Sequence, residues 1–279
     1  MDETRGWHVD RRSGFASVDK EGSPEFWIAY LDAVRSTPSW RQAKRDSIER
    51  LGLGPGERGL DVGCGTGEEV AAMGELVGVS GCAVGVDLST VMVSEGRRRH
   101  VGRGHSGGFC VADAGRLPFA DGSFQACRVE RTLQHCDDPY AVVVEMARLL
   151  VPGGRLVALE PDWDTLVFDT PKADVNRRIY RDVLDRRPSR TVGRRLRATL
   201  SGAGLGDIDV QGWAVCFADY DDAERSLTLQ ALTEASVRAG VVSDHDAASW
   251  LDSLRRASDR GTFFASVTMF TAVGTKLDL

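Results

Sequence analysis

The sequence predicts an α/β protein in which a mostly parallel sheet carries helices on both faces. Three observations lead to this fold class. Between residues 57 and 161, apolar segments typical of strands alternate with amphipathic helical segments. A glycine-rich turn, "GLDVGCGTGEEV" at 59–70, joins the first of these strands to the first of these helices. With 279 residues, of which 42% are hydrophobic, the chain is long enough to bury a large core.

The N-terminal segment, residues 1–56, is predicted to be helical. Pro24 follows Ser23, a suitable N-cap, and the residues after it place Phe26, Trp27 and Tyr30 on one helical face. A second helix is expected over about 39–51, ending at a glycine.

The central segment, residues 57–161, should form the core of the sheet. Its predicted strands are "RGLDV", "CAVGVD", "GFCVAD", "FQACRVE" and "RLVALE". Helices are predicted over 66–77, 89–100 and 139–150, and a loop containing "LPFADGS" separates the third and fourth strands.

After residue 161 the pattern becomes mainly helical. Helices are predicted over about 171–187, 190–202, 221–239 and 244–259, and an extended segment is predicted over 207–218. The final strand is "FFASVTMFTAVGTK". This pattern divides the rest of the chain into a cap region, 162–262, which includes the sixth strand, and a terminal strand segment, 263–279.

Composition narrows the range of partners. The net charge of −6 argues against a general nucleic-acid or membrane-surface binder, and the Arg-rich stretch 177–197 is interpreted as a solvated helix face. The six cysteines form no CxxC pair, and no cluster has metal-ligand spacing. We therefore expect no metal. Since no apolar segment is long enough to span a membrane, we also expect a cytoplasmic protein.

The glycine turn indicates what kind of ligand the chain binds. Gly63, Gly65 and Gly67 give the spacing GxGxG, which departs from the GxGxxG fingerprint of dinucleotide-binding proteins. Asp61, at the end of the preceding strand, would repel a pyrophosphate and attract an ammonium group. S-adenosylmethionine (SAM) carries an ammonium and a sulfonium, so it fits this position.

Two further acidic residues follow the next strands. Asp87 ends the second strand, 20 residues after Gly67, where a carboxylate accepts hydrogen bonds from ribose hydroxyls. Asp113 and Ala114 end the third strand, where a carboxylate and a backbone N–H suit the adenine ring, although Asp113 is also a suitable turn cap. Met92 is expected either at the adenine edge or in the core.

Four motifs in order, "LDVGCGTG", "VGVDLS", "ADAGRLPF" and "LLVPGGRLV", resemble those of class I SAM-dependent methyltransferases. The likeness is to the ubiquinone/menaquinone-methyltransferase-like group of small-molecule enzymes. It implies a Rossmann-like, seven-stranded sheet with the last strand antiparallel, SAM as cofactor and S-adenosylhomocysteine (SAH) as product. It also implies cofactor contacts from Leu88 and Arg131, and an acceptor bound by the unmatched region 162–262.

Candidates for catalysis lie after the fourth and fifth strands. His135, in "ERTLQHCDD", follows the strand that should end beneath the transferable methyl group, where an imidazole suits proton removal. The alternative is that His135 braces the turn. Asp162, in "EPDW", is expected to accept a proton, to hold a cationic amine, or to cap the next helix. Candidate pocket residues are Trp27, Tyr30, Trp163 and Trp213.

The sequence therefore predicts methyl transfer from SAM to a small organic acceptor of the natural-product or quinone-like kind. Three alternatives stay open at this stage: an RNA methyltransferase, a nucleotide-dependent oxidoreductase, and a relative that binds SAM without methylating, such as a cyclase or an accessory protein. The acidic charge disfavours the first, and the GxGxG turn with Asp61 disfavours the second. The methylated atom and the oligomeric state are not predicted.

Overall fold

The structure, a computed structural model, describes residues 18–19, 24–36, 38–100, 106–185 and 189–278. These residues form one seven-stranded sheet in the order β3-β2-β1-β4-β5-β7-β6. The strands are β1 Arg58–Val62, β2 Cys82–Asp87, β3 Ser106–Val111, β4 Phe124–Glu130, β5 Leu150–Phe168, β6 Leu205–Phe217 and β7 Ala265–Lys276. Neighbours from β3 to β5 pair in parallel, and β7 is antiparallel to both β5 and β6. The predicted Rossmann-like α/β fold is confirmed.

Helices flank this sheet. The described helices are α1 Pro24–Ser36, α2 Pro38–Glu49, α3 Glu68–Val77, α4 Thr90–His100, α5 Pro139–Leu149, α6 Ala173–Asp185, α7 Val192–Gly202, α8 Tyr220–Leu227, α9 Leu229–Arg238 and α10 Asp244–Asp259, with a short 3-10 helix at Leu133–His135. α1 begins at Pro24 as predicted, while Ser23, the predicted N-cap, lies outside the described residues.

Alternation along β5 shows how both faces of the sheet are covered. Leu156 and Ala158 belong to an apolar core that includes Met146 of α5, whereas Val157 between them packs in a second core with Met73 of α3. Successive side chains of a strand point to opposite faces, so this division follows directly from the strand geometry.

The region after residue 161 differs from its predicted outline in two ways. β5 continues to Phe168, paired with β7 as far as Ala265, so the predicted division after residue 161 falls inside a strand. The single helix predicted over 221–239 is two helices, because Thr228 between them has a φ of 52°. The cap helices share one apolar core centred on aromatic residues such as Trp250, which is fully buried.

A candidate cofactor site at the strand ends

The three glycines predicted to form the ligand turn all require backbone angles that other residues rarely adopt. Gly63, Gly65 and Gly67 have φ values of 73°, 52° and 84°. Close packing adds a second constraint, since a Cβ atom at Gly63 would lie 2.1 Å from Thr132 Oγ1. The turn is therefore built from glycine both for its curvature and for its contact with the turn that follows β4.

Asp87 holds this glycine turn in place. Gly65 N donates to Asp87 Oδ2 at 2.9 Å, and Ser89 N donates to Asp87 Oδ1 at 2.9 Å. Burial raises the pKa of Asp87, and these backbone donors oppose that effect. Each carboxylate oxygen accepts more than one hydrogen bond, so Asp87 retains acceptor capacity at the end of β2.

The remaining predicted adenosine contacts differ in exposure. Leu88 is 56% exposed beside Asp87, whereas Met92 is 2% exposed inside α4, so of its two predicted environments the structure shows the core one. Asp113 is exposed and its Oδ1 accepts from Gly115 N at 2.8 Å, which makes it the cap of a tight turn. Ala114 is half-buried.

A buried ionic cluster that the sequence did not predict lies beneath the glycine turn. It consists of Asp61 at β1, Glu69 in the first turn of α3, Arg128 and Glu130 on β4, and Lys44 of α2. Arg128, 1% exposed, donates to Asp61 Oδ1 at 3.1 Å and also bonds Glu130. Lys44 Nζ lies 2.7 Å from Glu69 Oε1 and 2.8 Å from Glu130 Oε1.

The carboxylates of this cluster are not equally stabilised. Burial would raise the pKa of Glu130, but Lys44 and Arg128 together lower it below its usual value. Asp61 has a different balance: burial raises its pKa to about 7, against the opposing effect of Arg128. Arg128 remains charged, because Glu130 and Asp61 outweigh the effect of its burial. Asp61 is therefore the carboxylate of this group whose charge is least well compensated.

The position of Asp61 differs from the one expected. The sequence predicts a carboxylate at the end of β1 that attracts an ammonium group, but Asp61 is 2% exposed and is already paired with Arg128. Arg128 lies 67 residues away in sequence, so the composition of the motif alone gave no sign of this pairing.

The turn after β4 is held by residues of β5. Thr132 N and Leu133 N donate to Glu160 Oε1 at 2.8 and 2.7 Å. Gln134 Oε1 accepts from Trp163 Nε1 at 2.7 Å. His135 ends the 3-10 helix of this turn and is half-buried. The predicted catalytic histidine is thus carried on a segment that β5 fixes in place.

Arg131, predicted to contact the cofactor, makes contacts within the protein. Its guanidinium lies over the ring of Trp40, 5.3 Å from the centroid, and its Nε is 3.5 Å from Glu130 Oε1. Its φ of 48° is unusual for a residue with a side chain. The contact with Trp40 links this turn to α2.

Asp162 does not have the free carboxylate that a proton acceptor or an amine-binding group needs. It is 1% exposed, and Arg194 of α7 binds both of its oxygens, with Nη2 at 2.8 Å from Oδ1. It also does not cap a helix, because β5 continues past it and α6 begins only at Ala173. The structure therefore assigns Asp162 an ion pair that joins β5 to α7.

The four aromatic pocket candidates fall into two places. Tyr30 and Trp213 pack against the cap core that contains Trp163. Tyr30 donates from its hydroxyl to Ser226 O at 3.1 Å, and Trp213 Nε1 donates to Thr271 Oγ1 at 2.9 Å. Trp27 lies in an aromatic group on α1 that Tyr30 connects to the cap core, with its ring centroid 6.2 Å from that of Tyr30.

Helix α1 crosses the glycine turn. A Cβ atom at Gly65 would lie 3.0 Å from Leu31 Cδ1 of this helix. Asp32 of α1 accepts from Arg99 Nη1 at 2.7 Å, and Arg35 Nη1 lies 2.6 Å from Glu68 Oε1. These ion pairs attach α1 to the first turn of α3 and the last turn of α4.

Known proteins resemble this chain in sequence. A family model described as a methyltransferase domain matches residues 60–158. The chain is 36% identical over 247 residues to an uncharacterised 37.1 kDa protein of transposon Tn4556 from Streptomyces fradiae, an alignment that covers 88% of this chain and 70% of that protein. It is 43% identical over 127 residues to a demethylmenaquinone methyltransferase of Beutenbergia cavernae, covering 44% of this chain and 49% of that enzyme. The chain spans about half the length of the named quinone methyltransferase to which it is similar.

Solved structures with the same fold are more distant in sequence. Phosphoethanolamine N-methyltransferase 2 of Haemonchus contortus, solved with phosphomonomethylethanolamine and SAH, is 18% identical with a TM-score of 0.60, covering 97% of this chain and 61% of that one. The [4+2]-cyclase SpnF is 19% identical with a TM-score of 0.55, covering 96% of this chain and 97% of that one. At these identities the likeness shows the shared fold.

Within the described ranges, no helix is long and apolar enough to cross a membrane. Among the same residues, no group of three or more His, Cys, Asp or Glu side chains is arranged to hold a metal ion. The sheet order, the glycine turn and the matched family model together identify residues 60–158 as a methyltransferase domain, and part of the chain is similar in sequence to demethylmenaquinone methyltransferases.

Proposed function

We propose that this protein transfers a methyl group from SAM to a small organic acceptor. The observation that carries the proposal is the buried carboxylate of Asp61 beside three glycines with positive φ. SAM supplies an electrophilic methyl group on a sulfonium, and the protein's contribution is to bind it, to orient the acceptor and to exclude water.

The electrostatics of the ionic cluster favour a cationic ligand over a phosphate. Asp61 shares its cation, Arg128, with Glu130, and burial raises the pKa of Asp61 to about 7. A further positive charge at this end of β1 would stabilise the ionised carboxylate. An ammonium group meets that need, whereas a pyrophosphate would be repelled by the same residue.

The other strand ends match the remaining parts of SAM. Asp87, at the end of β2, has acceptor capacity for ribose hydroxyls, and the next residue, Leu88, presents an exposed apolar side chain. Asp113 presents a carboxylate after β3, the strand that neighbours β2. The glycine turn connects these groups to the turn that carries His135. Gly65 N donates to Asp87 on one side, and Gly63 contacts Thr132 on the other. In this proposal His135 accepts the proton that the acceptor loses.

The acceptor we propose is a small molecule of the quinone or natural-product kind. Relatives named demethylmenaquinone methyltransferase support the quinone class, and the half-buried rings of Tyr30 and Trp213 at the edge of the cap core support an apolar ligand. An RNA acceptor is disfavoured because arginines of the basic stretch pair with acidic residues, as Arg178 does with Asp174 and Arg190 with Asp185. The six cysteines are all free thiols, which supports a cytoplasmic location.

Calorimetric titration with SAM, SAH and NADH tests the cofactor assignment. We expect SAM and SAH to bind and NADH to give no signal; binding of NADH without SAM would contradict the proposal. Mass spectrometry of reactions with demethylmenaquinone analogues and SAM then tests for a product that is one methyl group heavier. A product with unchanged mass would instead indicate a cyclisation or rearrangement.

A further inference from the structure

Glu160 is a fully buried carboxyl group behind the turn that follows β4. Its side chain is 0% exposed, and its Oε1 accepts the backbone N–H groups of both Thr132 and Leu133. Its other oxygen, Oε2, is buried without a hydrogen-bond partner among the described residues. A buried acid with this arrangement is expensive to maintain, so its contacts need an explanation.

These contacts fix a turn that would not otherwise be favoured. The turn opens with Arg131 in the left-handed region, at a φ of 48°, and Arg131 N donates to Leu159 O at 2.9 Å. The next two N–H groups are those that Glu160 accepts. Consecutive N–H groups of the turn are therefore bonded to consecutive residues of β5, which leaves the backbone little freedom at this point.

The turn also touches the glycine turn of the cofactor site. A Cβ atom at Gly63 would lie only 2.1 Å from Thr132 Oγ1. The two turns are therefore in direct contact. Three residues further on, His135 ends the 3-10 helix. A shift of the backbone at Thr132 would therefore displace the glycine turn on one side and His135 on the other.

We propose that Glu160 is a positioning residue. It holds the backbone of residues 131–134 so that Thr132 stays against the glycine turn and His135 stays in place. The inference rests on the proposed function for what the turn does, but the contacts that define it belong to the chain alone. Glu160 acts as a hydrogen-bond acceptor in this role, and it touches neither the cofactor nor the acceptor.

The surroundings of Glu160 explain how its carboxyl group can be buried behind this turn. Burial raises the pKa of Glu160 to about 8, and the nearby charge of Glu130 raises it further, while the backbone donors of the turn oppose both effects. The group is therefore mainly neutral at pH 7, and a neutral carboxyl still offers one carbonyl oxygen to two N–H donors. A glutamine side chain offers the same oxygen in the same shape.

Two variants separate hydrogen bonding from packing. Glu160→Gln keeps the acceptor oxygen, and Glu160→Leu keeps a similar buried volume without it. Hydrogen–deuterium exchange of the segment 131–136 and calorimetric titration with SAH are measured for both variants and for the wild-type protein. We expect the Gln variant to match wild type, and the Leu variant to exchange faster in this segment and to bind SAH about tenfold more weakly.

Wild-type behaviour from the Leu variant would overturn the inference, and so would equal loss in both variants. Should the Leu variant fail to fold, the pH dependence decides: the protection factor of the segment, which is corrected for the intrinsic pH dependence of exchange, should change between pH 7 and pH 9 in wild type and stay constant in the Gln variant. The same pH dependence in wild type and in the Gln variant would also overturn the inference. Absence of SAH binding by wild type would reject the proposed function, while the exchange measurements would still test Glu160.

Discussion

Replacing Asp61 with asparagine should have opposite effects on stability and on cofactor affinity. The substitution keeps a side-chain oxygen that can accept from Arg128, while it removes the negative charge. Arg128 retains its bonds to Glu130 and to Ser47, whose Oγ lies 3.0 Å from Nη2. The buried guanidinium is therefore not left alone, and the change isolates the charge of Asp61.

The stability effect follows from the raised pKa. Because the folded protein holds a proton on Asp61 that the unfolded chain releases at lower pH, this group's contribution to the free energy of unfolding falls as pH rises. With a folded pKa of about 7 and an unfolded value of about 3.9, the fall between pH 5 and pH 8 is about 2–3 kcal/mol. In the Asn variant this fall should be absent, so its stability relative to wild type should rise with pH.

The affinity effect has the other sign. Loss of a charged partner for the ammonium of SAM should weaken binding of SAM and SAH by about tenfold or more at pH 8. Urea unfolding at pH 5 and pH 8 and calorimetric titration with SAH measure the two effects. Glu75→Gln, which removes an exposed carboxylate from α3, is the matched control and should change neither. Unchanged SAH affinity in the Asn variant would refute the assignment of Asp61 to the ammonium.

Three other substitutions test the site. Asp87→Ala should weaken SAH binding by about tenfold or more in calorimetric titration, because it removes the acceptor of Gly65 N as well as the ribose contact; unchanged affinity would place the ribose elsewhere. Arg128→Met should lower the free energy of unfolding in urea by about 3–5 kcal/mol at pH 8, and by less at pH 5, where Asp61 is protonated. His135→Gln should reduce methyl transfer by about 10²–10⁴ if the imidazole is the base, and near-normal turnover from pH 6 to pH 9 would exclude that role.

The sheet core could be predicted closely because its strands end at clear signals. The predicted bounds of β1, β2 and β4 agree with the structure, since each is an apolar run that stops at a glycine or an acidic residue. β5 was predicted to be shorter than it is. Its extension beyond Glu160 is stabilised by pairing with β7, more than 100 residues later in the chain, and local pattern carries no information about that pairing.

The ionic cluster could not be predicted because its members come from four separate elements. Lys44 and Glu130 are 86 residues apart, and Arg128 and Asp61 are 67 apart. One signal was present in the sequence: Arg128 interrupts an apolar strand that pairs on both sides. A charge in such a strand is buried and requires a partner, and in the neighbouring strand β1 the residue in register with Arg128 is Asp61.

Residues of the N-terminal helices contact the glycine turn and the ionic cluster of the predicted cofactor-binding core. Lys44 of α2 pairs with Glu69 and Glu130 beneath the glycine turn. Leu31 of α1 lies against Gly65, and Asp32 of the same helix pairs with Arg99. The charge that surrounds the proposed ammonium position is therefore set partly by residues outside the motifs of the core. We therefore expect substitutions in the first two helices to change the affinity for SAM, although the motifs that indicate this cofactor lie within residues 57–161.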